Sequence, residues 1–236
     1  MAEFSIEPLS EDSLLLRFGE GIDARTNARV HQAARILRAA GLASLIDIAP
    51  AYATLLVRFD RFAADGEALP ATVARVLHTG LRRDGGYAVD SGSTPRTLEM
   101  PVCYGGDFGP DLAAVAAHAN LAMDEVVARH TAVDYSVAML GFAPGFPYLL
   151  GLDPALQLPR RGSPRTRVPA GSVAIGGAQT GIYPRELPGG WNLVGRTPSV
   201  LFDPLRDPPC LLAPGDRVRF RPIDADAFAR LAGSRV

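Results

Sequence analysis

The 236-residue chain contains no lysine; all 24 of its basic residues are arginine. Codon usage accounts for such a bias, but the exclusion holds whatever its cause. A P-loop lysine on phosphate, a Schiff base and a catalytic lysine are all ruled out of this chain. Cysteine is nearly as scarce. Cys103 and Cys210 stand far apart and form no C-x-x-C pair, which excludes a disulfide framework and a Cys-rich zinc site. Two reduced thiols fit a cytoplasmic protein. No charge of either sign dominates, since 24 arginines face 25 acids, so the basic footprint of a nucleic-acid binder is missing. Long hydrophobic runs are missing too. The longest apolar stretch, 137–152, is interrupted by Gly141, Pro144, Gly145 and Pro147, too short and broken to span a bilayer. The segment Met1–Glu7 has neither a basic nor an apolar region, so no signal peptide is expected.

What is present is an apolar fraction of 47%, enough for a sizeable core in one or two domains. Proline divides the chain unevenly: 6 of 20 fall in residues 1–130 and 14 in 131–236. The first part reads as strands and helices. Leu14, Leu16 and Phe18 alternate as in a half-buried strand. Val30, Ala33, Ala34 and Leu37 recur at helical spacing over 24–40, a run that stops at Gly41. Short β-type runs cover 45–48 and 54–59. Pro70, Val73, Val76, Leu77 and Leu81 describe an amphipathic helix over 70–82. The order ββαββα suggests an N-terminal α+β domain over 1–90, a sandwich of the ferredoxin-like kind. A Gly- and Ser-rich linker is expected over 84–96. Beyond it lie a strand at 97–103, helices at 111–119 and 124–130, and short strands at 136–140, 172–175, 191–194, 200–202 and 217–220. These are separated by Gly and Pro, the pattern of a small barrel or sandwich with long loops, a second domain over 97–236. A last helix covers 225–231.

Generic catalytic signatures are also wanting. There is no G-x-S-x-G elbow, and 176–181 places its second glycine wrongly for a dinucleotide turn. The four histidines, His31, His78, His118 and His130, form no metal-type pair, so no metal site is expected on this chain. Chemistry concentrates in three segments of the second half. The loop 141–149 holds Phe142, Phe146 and Tyr148 between prolines and suggests an apolar pocket wall or interface. The stretch 159–171 carries Arg160, Arg161, Arg165 and Arg167 on a proline-stiffened backbone, forks suited to carboxylate or phosphate. Arg165 and Arg167 share a side if that stretch is extended. The third segment, 176–198, mixes glycine pairs with Gln179, Tyr183, Trp191, Asn192 and Arg196, groups that orient an amide or a carboxylate while the glycines let a ligand or chain approach. Expected substrate- or phosphate-binding residues are therefore Arg165, Arg167, Gln179, Tyr183, Asn192 and Arg196. Phe142, Phe146 and Trp191 are the expected apolar wall.

These segments read Gly-Phe-x-Pro-Gly-Phe-x-Tyr-Leu from 141, and Pro-Arg-x3-Pro-Arg-x-x-Val-Pro-x-Gly-Ser-Val-x-Ile-Gly-Gly-x-Gln-Thr-Gly-Ile-Tyr-Pro from 159. Pro-Gly-Gly-Trp-x-x-x-Gly-Arg-Thr-Pro follows from 188, then Phe-Asp-Pro at 202 and Pro-Gly-Asp-x-Val-x-Phe from 214. In this order they closely resemble the allophanate hydrolase subunit 1 family, which includes the B-type subunits of 5-oxoprolinase and Kip-type (KipI) kinase inhibitors. The resemblance implies an N-terminal α+β domain and a C-terminal cyclophilin-like β-barrel. It implies partnership with an allophanate hydrolase subunit 2-type protein, which is the C-type subunit of 5-oxoprolinase, and with the A-type subunit of that enzyme. The implied activity is ATP-dependent opening of 5-oxo-L-proline to L-glutamate by that complex, with this chain inactive alone. ATP is the implied cofactor of the complex, with a divalent metal compatible with it. The same module also serves as half of a urea carboxylase-type carboxyltransferase, and one branch inhibits a sensor histidine kinase. Without lysine, this chain carries no covalently attached biotin. No catalytic residue is transferred by the resemblance. A cytoplasmic location is expected, with no nucleic-acid or membrane partner.

Overall fold

The chain opens with β1 (Ser5–Ser10) and β2 (Ser13–Arg17), paired antiparallel. The period-2 pattern sends Leu14, Leu16 and Phe18 to one face. There they meet Leu55, Val57 and Phe59 of β4 (Thr54–Phe59), which pairs with β2 and with β3 (Leu45–Pro50). Helix α1 (Ala24–Ala39) starts where the Asp23 carboxylate accepts the Thr26 N–H at 2.6 Å, an N-cap bond. It buries Val30, Ala33, Ala34 and Leu37, and α2 (Leu69–Arg83) buries Leu69, Val73 and Leu77 against the same cluster. The computed structural model describes residues 4–63, 68–83 and 96–233, and the chain divides into two compact units, 1–95 and 96–236.

The first unit is thus an α+β arrangement with sheet order β1-β2-β4-β3. Its order is ββαββα and all three strand pairings are antiparallel. A ferredoxin-like sandwich runs βαββαβ around a split βαβ unit, so the expectation holds only at the coarser α+β level. The linker expected over 84–96 lies outside the described residues except for Arg96. Arg96 belongs to the second unit: its guanidinium pairs with Asp216 at 2.5 Å and its carbonyl accepts the Arg217 N–H.

The second unit contains a closed barrel of seven strands. These are β5 (Thr97–Tyr104), β6 (Asp134–Leu140), β7 (Pro147–Leu150), β9 (Ser172–Gly176), β10 (Gln179–Ile182), β12 (Asn192–Arg196) and β13 (Arg217–Ile223). Their order round the barrel is β10-β7-β6-β13-β5-β12-β9. β13 runs parallel to β5, and the other pairings are antiparallel. β8 (Arg165–Val168) and β11 (Leu187–Gly189) form a separate two-stranded ribbon. Helices α3 (Leu112–Ala119) and α4 (Met123–Thr131) join the barrel interior through Leu112, Val115, Ala116 and Val126. α5 (Ala225–Gly233) follows β13. The strand expected at 200–202 contributes a single bridge, Phe202 to Cys210. Among the described residues no helix is long and apolar enough to cross a membrane.

Alternation along the barrel strands builds two clusters. Val102, Val137, Leu149, Val173, Ile175, Ile182, Val194 and Phe220 point inward to one core. Tyr148, Ala174 and Leu193, one residue off that period, join Phe146, Val168, Tyr183 and Trp191 in a second cluster on the outer wall.

Candidate functional site

The outer cluster holds a cavity of about 210 Å³. Phe142, Phe146, Tyr148, Tyr183 and Trp191 line it together with Arg160 and Arg161. The aromatic rings meet edge to face. Phe146 lies 5.2 Å from Tyr183 at 89° and 5.7 Å from Trp191 at 85°, the geometry that ring quadrupoles favour. Phe142 is different: it is 60% exposed and has a φ of 66°. A bulky residue with positive φ is a local outlier of the kind that collects at binding sites.

Two glycines are needed for this wall to close. A Cβ on Gly176 would stand 2.7 Å from the Trp191 ring, and one on Gly189 would stand 2.2 Å from the Tyr183 hydroxyl. Both glycines act by leaving space for an aromatic neighbour. Burial pushes the Tyr183 hydroxyl above its ordinary pKa, against a hydrogen bond from the Trp191 backbone and the Arg160 charge.

The arginine loop is tied down at three points. The Asn192 side-chain amide donates to the Pro159 carbonyl at 3.0 Å, and to the Ile175 carbonyl at 3.2 Å. The Arg161 N–H donates to the Gly190 carbonyl at 2.8 Å. The third tie is Asp111, whose buried carboxylate accepts from Arg161 Nη1 at 2.8 Å, from Arg165 Nη1 and Nη2 at 2.7 and 2.9 Å, and from the Leu193 N–H at 2.8 Å. Burial pushes this carboxyl up, but the bonds from Arg165 and Leu193 and the two guanidinium charges outweigh it and hold its pKa below the ordinary value. Asp111 stands at the N-cap of α3 and yet makes no side-chain cap bond there. Its oxygens serve the arginines instead.

Of the expected site residues, the structure brings Phe142, Phe146, Tyr183 and Trp191 to the cavity. The remaining five are elsewhere. Arg165 is locked in its bidentate pair with Asp111. Arg167 points away from it to Glu186 at 2.8 Å and is exposed. Although both sit in an extended strand, their forks therefore do not converge. Gln179 is buried opposite Gly176 in the β9–β10 pairing and does not line the cavity. Asn192 engages backbone carbonyls and so holds the arginine loop. Arg196 lies over the Phe108 ring at 5.8 Å and donates to the Asp107 carbonyl. Arg160, Arg161 and Tyr148 also line the cavity. Arg160 and Arg161 were visible in the sequence as the first half of the arginine run. Asp111 is only the first residue of the helix expected over 111–119, and its partners lie 50 and 54 residues away, beyond any local signal.

His130 is a second polar centre, inside the barrel. Its Nδ1 lies 2.8 Å from the Tyr104 hydroxyl and its Nε2 lies 3.0 Å from Thr180 Oγ1. Thr180 gives its one proton to the Ala174 carbonyl at 3.0 Å. It must therefore accept from Nε2–H, which leaves Nδ1 to accept from Tyr104. Burial pushes the His130 pKa down to about 3, and burial also pushes the Tyr104 hydroxyl well up. This network is neutral and closed. Among the described residues no group of three or more His, Cys, Asp or Glu is placed to hold a metal ion.

Residues 4–212 match the family described as carboxyltransferase domain, subdomain C and D. A protein of Bacillus subtilis (strain 168), named as the B-type subunit of 5-oxoprolinase, is 42% identical over 222 residues, 92% of each chain. One of the same name from Escherichia coli O157:H7 is 60% identical over 127 residues, 54% of this chain and 58% of that protein. The crystal structure of the Kluyveromyces lactis urea carboxylase superposes with a TM-score of 0.76 over 98% of this chain and 23% of that one, at 19% identity, a likeness of fold. The chain belongs to the carboxyltransferase-domain family of subdomains C and D, which it shares with proteins named as B-type subunits of 5-oxoprolinase.

Proposed function

We propose that this chain is the B-type subunit of an ATP-dependent 5-oxoprolinase that opens 5-oxo-L-proline to L-glutamate. The observation that carries the reading is identity of 42% with a 5-oxoprolinase subunit of that type across 92% of both chains. The cavity is compatible with it. At about 210 Å³ it lies below the roughly 300–1,000 Å³ of a site for a drug-sized ligand, so it suits a small ring rather than a nucleotide. Its flat aromatic walls suit a five-membered lactam.

The lactam is a stable amide with a poor leaving group. Transfer of the ATP γ-phosphoryl group to the lactam oxygen makes the ring carbon electrophilic. Water then adds at that carbon, the C–N bond breaks and its nitrogen is protonated. A second water releases phosphate from the resulting acyl phosphate. ATP and two waters are consumed, and ADP, phosphate and glutamate are formed. Such a path needs positioning and anion stabilisation more than a nucleophilic side chain. With no lysine in this chain, any lysine on the ATP phosphates comes from a partner. The partners are an allophanate hydrolase subunit 2-type protein, the C-type component, and an A-type component of the same enzyme. The barrel is of the cyclophilin-like kind. The free thiols of Cys103 and Cys210 suit a cytoplasmic protein.

Reconstitution tests this. The chain is combined with the A-type and C-type components, and glutamate release from 5-oxo-L-proline is followed with and without ATP. ATP-dependent release that requires all three chains is expected. No release from the complete set overturns the reading, and inhibition of a sensor kinase or transfer of carboxyl from biotin would replace it.

A further inference from the structure

We propose that Arg161 is the carboxylate-binding residue of the aromatic cavity, assisted by Arg160, and that Asp111 is the positioning residue that aims it. The ligand is a small ring acid, which rests on the oxoprolinase reading. The assignment moves the anion contact away from Arg165, which gives both Nη atoms to Asp111, and from Arg167, which pairs with Glu186; neither lines the cavity.

The atoms of Arg161 support this one by one. Nη1 is engaged by Asp111 at 2.8 Å. Nε is buried and has no acceptor. Nη2 has no protein partner and is in reach of solvent, on a side chain 35% exposed at the cavity wall. Arg196 Nε is likewise buried without an acceptor, but among the described residues only Arg161 combines such a donor with a place on the cavity wall. Arg160 stands over the Trp191 ring at 5.8 Å, close enough for a cation–π contact. Among the groups lining or tied to the cavity, the charges of Arg160, Arg161 and Arg165 face the single carboxylate of Asp111. The site is therefore left cationic. A carboxylate on a flat ring matches both the charge and the aromatic walls.

Asp111 breaks a local rule at the same place. An aspartate at a helix N-cap normally accepts from the first-turn amides. Here it turns from α3 to grip two arginines and the Leu193 N–H. Such a departure from local preference is expected where function overrides it.

Trp191 is the only tryptophan in the chain and forms part of the cavity wall, so its fluorescence reports occupancy in the full-length chain alone. The titration compares 5-oxo-L-proline with 2-pyrrolidinone, the same ring without the carboxylate. A saturable change with the acid is expected, with the neutral lactam at least about tenfold weaker, the scale of a charge-assisted hydrogen bond. Arg161→Ala leaves Arg165 on Asp111, so the fold survives, and it weakens acid binding by about 10- to 100-fold. Asp111→Asn discriminates further. If the carboxylate only damped the positive field, its removal would tighten acid binding. As a positioning residue, its loss weakens binding, and does so only while Arg161 is present. No response in the wild type, an equal response to both rings, or unchanged affinity in Arg161→Ala overturns the proposal. Because binding is read in the single chain and turnover in the complex, this proposal and the oxoprolinase reading fail separately.

Discussion

The barrel unit carries two polar centres in opposite conditions, one inside the barrel and one against its outer wall. Inside, every donor of the His130 centre finds an acceptor: Tyr104 gives to Nδ1, Nε2 gives to Thr180, Thr180 gives to Ala174, and the Tyr135 hydroxyl gives to the His130 carbonyl. The His130 ring also stacks on Phe220 at 4.7 Å. Outside, Arg161 keeps a buried donor without an acceptor, Arg160 has only an aromatic face, and a cavity stays open between them. Both faces contain aromatics and buried polar groups, so composition does not separate them; what separates them is that the outer wall sets one unsatisfied buried donor beside a cavity. A closed network fixes one packing. An incomplete network beside a cavity is available to a ligand.

The largest effect that tests this contrast is on the inner face. His130→Ala strands the Tyr104 hydroxyl and opens a cavity, and should lower barrel stability by about 3–5 kcal/mol. Denaturant unfolding followed by Trp191 emission measures it. Acid sharpens the same point. His130 titrates near pH 3 in the folded chain and near its ordinary value of about 6.5 when unfolded. Between these values the unfolded state binds a proton that the folded state refuses. This contribution is therefore whole above about pH 6.5 and is lost as pH falls toward 3. The variant should lose stability less steeply over that range; an identical acid limb would break the inner-face account.

Intermediate effects fall on the outer wall. Gly176→Ala pushes a methyl group into the rigid Trp191 ring, which should cost about 1–3 kcal/mol. It should also shift Trp191 emission to the red as the ring moves out. Unmoved emission would mean that the wall is plastic. The smallest stability effect belongs to Phe142→Ala. This exposed side chain contributes edge contacts to Phe146 and Tyr183, worth about 0.5–1.5 kcal/mol at most. The melting temperature should barely change, while binding of the ring acid weakens. A loss of stability without a loss of binding would make Phe142 an ordinary packing residue.

The sequence reading located most regular elements because local pattern governs them. The alternation of 54–59 became β4 at those residues, and the helical spacing of 24–40 became α1 to within one residue. The strands given no residue bounds were β1, which the order ββαββα nonetheless counts, and β7, β8, β10 and β11. β7 and β10 lie in Gly- and Pro-rich stretches where propensity argues against strand. β10 nevertheless forms because Gly181 admits the Phe146 ring and the Pro147 carbonyl, close contacts that no local rule contains. In the same way, Asn192 and Arg165 carried the right chemistry for a ligand but were claimed by Pro159 and Asp111 across the fold.

Sequence alone determined the alternating and helical cores, the absence of lysine, the arginine loop and the aromatic residues that came to line one wall. These follow from periodicity and composition, which are local. Tertiary structure decided which arginine reaches the cavity wall with an end left unpaired. That depended on where one carboxylate, Asp111, was carried by the start of α3. An ion pair is set by distance in space, and the chain brings its partners together over 50 residues of sequence. The missing lysine gains its meaning from that choice: the cation left facing the cavity is a planar fork held from behind, and it keeps its aim only while Asp111 grips its other side.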